Sequence, residues 1–201
     1  MMEQDHVPSM IFYGPPGTGK TTLAQMIAGL THSAFQKLNA VASGIADIRA
    51  IVKEAEENRK YCQKRTIVFI DEIHRFNKSQ QDVLLPYVED GRLVLIGATT
   101  ENPFFEVNHA LLSRLRVVRL QKLTDGQIVR ILQQALDDTE RGLGAQNLTA
   151  EDGVLASIAQ FAGGDARMAL NLLEEMAAML PPTGGALTQE LMESIVGERV
   201  Q

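Results

Sequence analysis

The chain has 201 residues with a formal net charge of −6, from 19 basic and 25 acidic side chains, and 45% of it is hydrophobic. That length holds one large domain or one and a half small ones around an ordinary core, and the acidic balance argues against a surface that grips DNA along its whole extent, though not against a local basic patch. A lone cysteine, Cys62, excludes an internal disulfide and reads as a buried thiol; no apolar run spans a bilayer and residues 1–8 lack a signal-peptide layout, so the expectation is a cytosolic protein without membrane partners.

Residues 9–13 form a short apolar run ending at Gly14, and residues 20–30 are helical in pattern. Residues 35–39 read as a second strand. In residues 45–61 the apolar positions Ile45, Ile48, Ile51, Val52 and Ala55 recur at helical spacing. The continuous β-branched and aromatic run at 66–70 predicts a strand buried on both faces. Residues 79–89 suit a helix kinked at Pro86, and 93–98 and 116–120 read as two more strands. Strands alternating with helices predict right-handed βαβ units and a parallel sheet covered on both faces.

After Leu120 the pattern changes. Thr124 caps a helix through Asp137, and Thr149 precedes another beginning near Asp152. A third starts near Asp165 after Gly163–Gly164, and a fourth follows Thr188. Turn signals at 142–146 and 181–185 separate them, and nothing in this half reads as strand. The expected fold class is α/β, with a parallel-sheet domain at residues 1–121 and a small all-helical domain at 122–201. The first is of the P-loop NTPase kind if Gly14 to Thr22, whose spacing G-x-x-x-x-G-K-[ST] follows the first strand, binds phosphate. There is no internal repeat.

The chemistry is concentrated early. Gly14-Pro15-Pro16-Gly17-Thr18-Gly19-Lys20-Thr21 fits G-x-x-x-x-G-K-[ST] without a mismatch, with Thr22 following. Glycines let successive backbone N–H groups turn inward on phosphates, and the following helix adds its positive dipole end. Lys20 then reaches the outer phosphates, and the Thr21 hydroxyl ligates magnesium. An apolar strand delivering Asp71 and Glu72 places the first carboxylate toward Mg²⁺ and the second where it polarises a water aimed at the γ-phosphate. A small-molecule kinase has no need of that glutamate, whereas a hydrolase does. His74 reads as structural support rather than as a participant.

Two hydroxyls, Thr99 and Thr100, end the strand at 93–98, either as simple turn formers or as a group between the carboxylates and the γ-phosphate. Arg114 and Arg116 precede the last strand, as surface charges or as an arginine that reaches a neighbour's γ-phosphate. Arg167 opens a helix after Gly164-Asp165-Ala166, either solvated or aimed back at the nucleotide.

Gly-Pro-Pro-Gly-Thr-Gly-Lys-Thr-Thr, Phe-Ile-Asp-Glu-Ile-His-Arg-Phe and Gly-Ala-Thr-Thr-Glu-Asn-Pro, in this order, resemble the AAA+ ATPases, more narrowly their clamp-loader and Holliday-junction-motor branch. The stretch 71–82, with 96–104 and Leu111-Leu112-Ser113-Arg114, is similar to the replication-associated recombination protein family, whose eukaryotic relative is the Werner helicase-interacting protein. The resemblance runs from about residue 9 to 200. It implies ATP and Mg²⁺ as ligands, Lys20 and Thr21 as Walker A residues, and Asp71 and Glu72 as Walker B. It also implies Thr100 as sensor 1 with Thr99 the fallback, Arg114 as a finger acting in trans, and Arg167 as sensor 2. Asn39 is implied as a polar switch on Glu72, with a strand-end cap the equal alternative. As partners it implies DNA ends, gaps or forks, single-stranded-DNA-binding protein, replisome components and further copies of the chain, in a cytoplasmic, nucleoid-associated setting.

Family members carry a segment before the first strand that packs on adenine, and a further helical domain beyond the lid. The chain is thus expected to be an ATPase core plus lid, with Met1–Met2 an added start. Three functions compete: an AAA+ ATPase in replication-fork maintenance and recombination; a nucleotide-gated scaffold that recruits replication proteins with little turnover; and a P-loop kinase, which the dyad and the helical tail disfavour.

Overall fold

A computed structural model describes residues 7–199; the suggestion of an added start at Met1–Met2 lies outside them. β1 (Met10–Tyr13), β2 (Ala34–Asn39), β3 (Thr66–Asp71), β4 (Val94–Thr99) and β5 (Arg116–Arg119) pair in parallel in the order β2-β3-β4-β1-β5. The connecting helices are α1 (Lys20–Leu30), α2 (Ile45–Cys62), α3 (Lys78–Glu89) and two single turns, α4 (Pro103–Glu106) and α5 (His109–Leu112). The expected parallel α/β sheet is therefore present. α3 runs on through Pro86 to Glu89. The single turns went unmarked in the sequence because one turn shows no periodicity; each is started by an asparagine cap, Asn102 on Phe104 N–H and Asn108 on Leu111 N–H.

Strand alternation divides the apolar residues between two cores. Ile11, Val68, Ile70 and Leu95 face α2, α3 and α5, while Phe12, Ile67, Phe69 and Ile96 face Ala24 and Ala28 of α1. Because both faces are covered, β3 and β4 are apolar along their middle, Ile67–Ile70 and Val94–Ala98, the continuous pattern that made them legible. Cys62 is a correction: it is exposed, since it ends α2 beyond the buried stripe of Ile48, Ile51, Val52 and Ala55.

Three polar side chains, Thr66, Gln81 and Thr99, are buried in this unit among the described residues, and Gln81 reaches furthest across it. Gln81 of α3 is 2% exposed, donates to Phe76 O at 3.0 Å and Glu106 O at 3.3 Å, and accepts from Asn108 N–H at 2.8 Å. It ties the turn after β3 to the α4–α5 segment. Gln81→Leu is expected to orphan these groups at a cost on the order of 1–3 kcal/mol each. Thermal denaturation checks it, and an unchanged midpoint would mean water replaces the amide.

Two compact units divide the chain: one runs to Gly14 and from Gly19 to Leu120, the other comprises Pro15–Thr18 and the chain from Gln121 on. The second is built from α6 (Asp125–Asp137), α7 (Val154–Ala162), α8 (Ala166–Ala178) and α9 (Gln189–Arg199). Thr124 caps α6 at Gln127 N–H and Asp165 caps α8 at Met168 N–H. Its core gathers Ile128, Leu132, Ile158, Leu172 and Met176. The expectation of helices alone needs one addition, a parallel pair of three-residue strands, β6 (Leu148–Ala150) and β7 (Gly185–Leu187). Three residues are too few to display a period of two, so the turn-rich flanks masked them.

Candidate nucleotide site

β1, β4 and β3 are neighbours, so their C-terminal ends are brought side by side, where ligands bind in open parallel sheets. Gly14 follows β1 and donates its N–H to Thr99 O at 3.2 Å. A Cβ at Gly14 would come 2.2 Å from Leu120 O, so only glycine passes between β4 and the end of β5. Lys20, the first residue of α1, turns its ammonium back across the loop to Gly14 O at 2.8 Å. Thr21 follows it in the first turn of α1 and Thr22 is exposed beyond it.

The crest of the loop, Pro15–Thr18, groups with the helical unit. Thr18 Oγ1 donates to Pro15 O at 3.0 Å, and Ala166 N–H at the start of α8 donates to Gly17 O at 3.0 Å. Gly17 has φ +68, and a Cβ there would lie 1.8 Å from Asp165 Oδ1. Pro16 and Gly19 are exposed. Arg167, next to Ala166, is an exposed residue in the first turn of α8.

Asp71 is the last residue of β3, and Glu72 follows with φ 55 and ψ 42. A left-handed glutamate is a backbone outlier of the kind that clusters at functional sites. Its carboxylate lies 3.4 Å from His74 Nε2, and His74 Nδ1 lies 2.8 Å from Thr99 Oγ1. Thr99 is fully buried, whereas Thr100 is exposed one residue beyond β4. Asn39 Oδ1 accepts from Val41 N–H at 2.9 Å, the strand-end cap of the two alternatives.

Arg114 is at the other end of the sheet. Arg116 pairs with Met10, the first residue of β1, and donates its N–H to Ser9 O at 3.0 Å. Arg114 precedes it by two residues, while Gly14 lies past the far end of β1. The strand between them is about 13 Å long at ~3.3 Å per residue. The guanidinium pairs with Glu89 at the end of α3 and donates to Ala110 O at 2.7 Å and Ser113 Oγ at 2.8 Å. It lines a cavity of about 610 Å³ with Arg59, Lys64, Arg65 and Arg92. Arg92 is occupied there: its hydrogen bond to Asp90 holds that carboxyl below the usual carboxylate range, and it also meets Glu56 at 2.8 Å. The Glu89–Arg114 pair joins residues 25 apart in the chain and has no local sequence signature.

The donor set suits magnesium. Among the described residues no group of three or more His, Cys, Asp or Glu gathers, so a cation here would draw on one carboxylate, Asp71, and the Thr21 hydroxyl. Mg²⁺ is commonly held by so few protein groups, the rest of its shell being phosphate and water. No helix of the described residues is long and apolar enough to cross a membrane.

Residues 10–123 match the model of the ATPase family associated with various cellular activities (AAA), and the chain belongs to that family. Within it, the chain is 50% identical over 200 residues to replication-associated recombination protein A of Haemophilus influenzae, covering 98% of this chain and 45% of that protein. It is 46% identical over 174 residues to the ATPase WRNIP1 of Dictyostelium discoideum, covering 87% of this chain and 20% of that one. The chain thus spans under half the length of these relatives. Among solved structures, the RuvB Holliday junction branch migration motor of Thermotoga maritima superposes with a TM-score of 0.78 at 26% identity, over 96% of this chain and 62% of that one.

Proposed function

We propose that the chain binds and hydrolyses ATP with Mg²⁺, at a site one copy supplies in part and a neighbouring copy completes, and that it serves replication-fork maintenance and recombination. The observation that carries the reading is the position of Arg114 at the opposite end of the sheet from Gly14 and Asp71. An arginine so placed cannot serve its own loop, and its cavity of basic side chains suits a neighbour's triphosphate.

The roles follow from placement. Gly14 to Thr22 cradle the phosphates, with Lys20 exchanging Gly14 O for the outer phosphate oxygens. Thr21 and Asp71 hold the cation, which when bound neutralises charge on the β- and γ-oxygens. Glu72 orients the attacking water, and Thr100, whose hydroxyl is the exposed one of the pair, contacts the γ-phosphate. Thr99 is already committed to His74 and to Glu101 N–H. Arg167, beside the contact between α8 and Gly17, reports the bound nucleotide from the helical unit. Arg114 acts in trans after leaving Glu89.

Similarity to replication-associated recombination protein A and to the RuvB Holliday junction motor supports DNA as the substrate, and ends, gaps or forks are the structures proposed. Single-stranded-DNA-binding protein and replisome components are proposed as its partners, and a cytoplasmic, nucleoid-associated oligomer as its working form. Lys20→Ala is expected to weaken ATP binding by about ten- to a hundredfold, the loss of one charge-assisted contact. Titration with a fluorescent nucleotide measures it, and undiminished affinity would sink the site. ATP turnover with single-stranded, duplex and forked DNA tests the fork role, stimulation by ends or gaps being the expected result.

A further inference from the structure

We propose that His74 is the residue that positions Glu72, tying its carboxylate to the buried end of β4. The inference rests on reading Glu72 as the water-orienting group.

The ring uses both nitrogens. Thr99 Oγ1 accepts from Glu101 N–H at 2.9 Å, and its own proton has two acceptors in range, His74 Nδ1 at 2.8 Å and Glu101 O at 3.5 Å. The shorter contact takes it, so Nδ1 is the acceptor and the ring proton is carried by Nε2. Nε2 then lies 3.4 Å from Glu72 Oε2, within reach of a small shift of the carboxylate. Neither anchor is free to drift. Thr99 is fully buried in β4, and His74 belongs to a short turn, Ile73–Arg75, pinned by the fully buried Ile73.

Glu72 needs such a tether. Its side chain is 37% exposed and its backbone is left-handed, and among the described residues His74, with its side chain 13% exposed, is the polar partner of its carboxylate. Asn39, the alternative holder, accepts from Val41 N–H, and among the described residues its amide makes no hydrogen bond to Glu72. The line Gly14 N–H to Thr99 O, Thr99 Oγ1 to His74 and His74 to Glu72 also connects the start of the phosphate loop to the water-orienting carboxylate, passing next to Thr100.

Two amide substitutions separate the contacts. Glutamine sets its amide near the place of Nε2 and keeps the reach to Glu72; asparagine sets its amide near Nδ1 and keeps only Thr99. His74→Gln is expected to hold kcat close to wild type, while His74→Asn and His74→Ala lose about ten- to a hundredfold in kcat with KM unchanged, the cost of a misplaced group. Asparagine matching or exceeding glutamine, or all three variants at the wild-type rate, would overturn the proposal. If Glu72→Gln itself turns over at the wild-type rate, the reading of Glu72 fails instead. A second readout needs no turnover: ¹⁵N resonances of the His74 ring in the unsubstituted chain should show Nε2 protonated, with Nε2 moving in Glu72→Gln and Nδ1 in Thr99→Val. A ring protonated on Nδ1 overturns the assignment even where a substituted chain fails to fold.

Discussion

Replacing Arg114 with alanine is expected to lower ATP turnover per subunit by on the order of 10³–10⁵-fold, the measured worth of such a finger in other phosphate-transfer systems. The expectation follows from the sheet. β5 is parallel to β1, and Arg114 precedes the residue paired with Met10, so the guanidinium and the phosphate loop are separated by the full length of the strand. On the proposed trans role, the loss should leave the nucleotide affinity of the substituted copy nearly intact. Folding should hardly change either: the pair it forms with Glu89 is about 40% exposed on both sides, and such pairs contribute at most ~1 kcal/mol. Wild-type turnover per subunit should rise with protein concentration. Mixing Arg114→Ala with Lys20→Ala copies should restore activity, since one brings an intact loop and the other an intact finger. A mixture no more active than the sum of its parts, or a wild-type rate independent of concentration, would return Arg114 to the role of a surface charge.

Glu72→Gln should lower turnover by about 10²–10⁴-fold while ATP still binds. The amide keeps the size and the left-handed backbone of Glu72 but cannot attract the proton of an attacking water. Asp71 and Thr21 are untouched, so the cation and the phosphates keep their protein ligands. Phosphate release in single-turnover conditions, read beside nucleotide affinity, separates the two effects. Equal, slow hydrolysis by wild type and variant would favour the nucleotide-gated scaffold, in which binding alone carries the function. Affinity lost together with turnover would mean that Glu72 serves binding rather than water activation.

Much of this site was readable from local spacing. The loop Gly14 to Thr22 is nine consecutive residues, and its chemistry depends on neighbours in the chain, so the motif survives without the fold. β3 was as plain: a strand covered on both faces is apolar along its middle, and Thr66 to Ile70 is buried at every position. The helical half was legible where caps stand close to the groups they serve, as with Thr124 and Gln127 or Asp165 and Met168. Elements too short to repeat their period twice were not: α4, α5, β6 and β7 have three or four residues each. The exposure of Cys62 turned on where α2 leaves its apolar stripe, whose last buried residue is Ala55.

Contacts between distant residues were out of reach for another reason. Thr99 and His74 are 25 residues apart, as are Arg114 and Glu89, and neither pair has a spacing rule to announce it. Strand order brings β4 between β1 and β3, and register sets Arg114 at one end of the sheet and Gly14 at the other. The chain's own order of residues therefore specifies which groups are available: a phosphate loop, a carboxylate pair, two threonines and two arginines. Which of them meet within one copy is decided by the tertiary structure, parallel pairing above all, because that pairing converts sequence separation into distance.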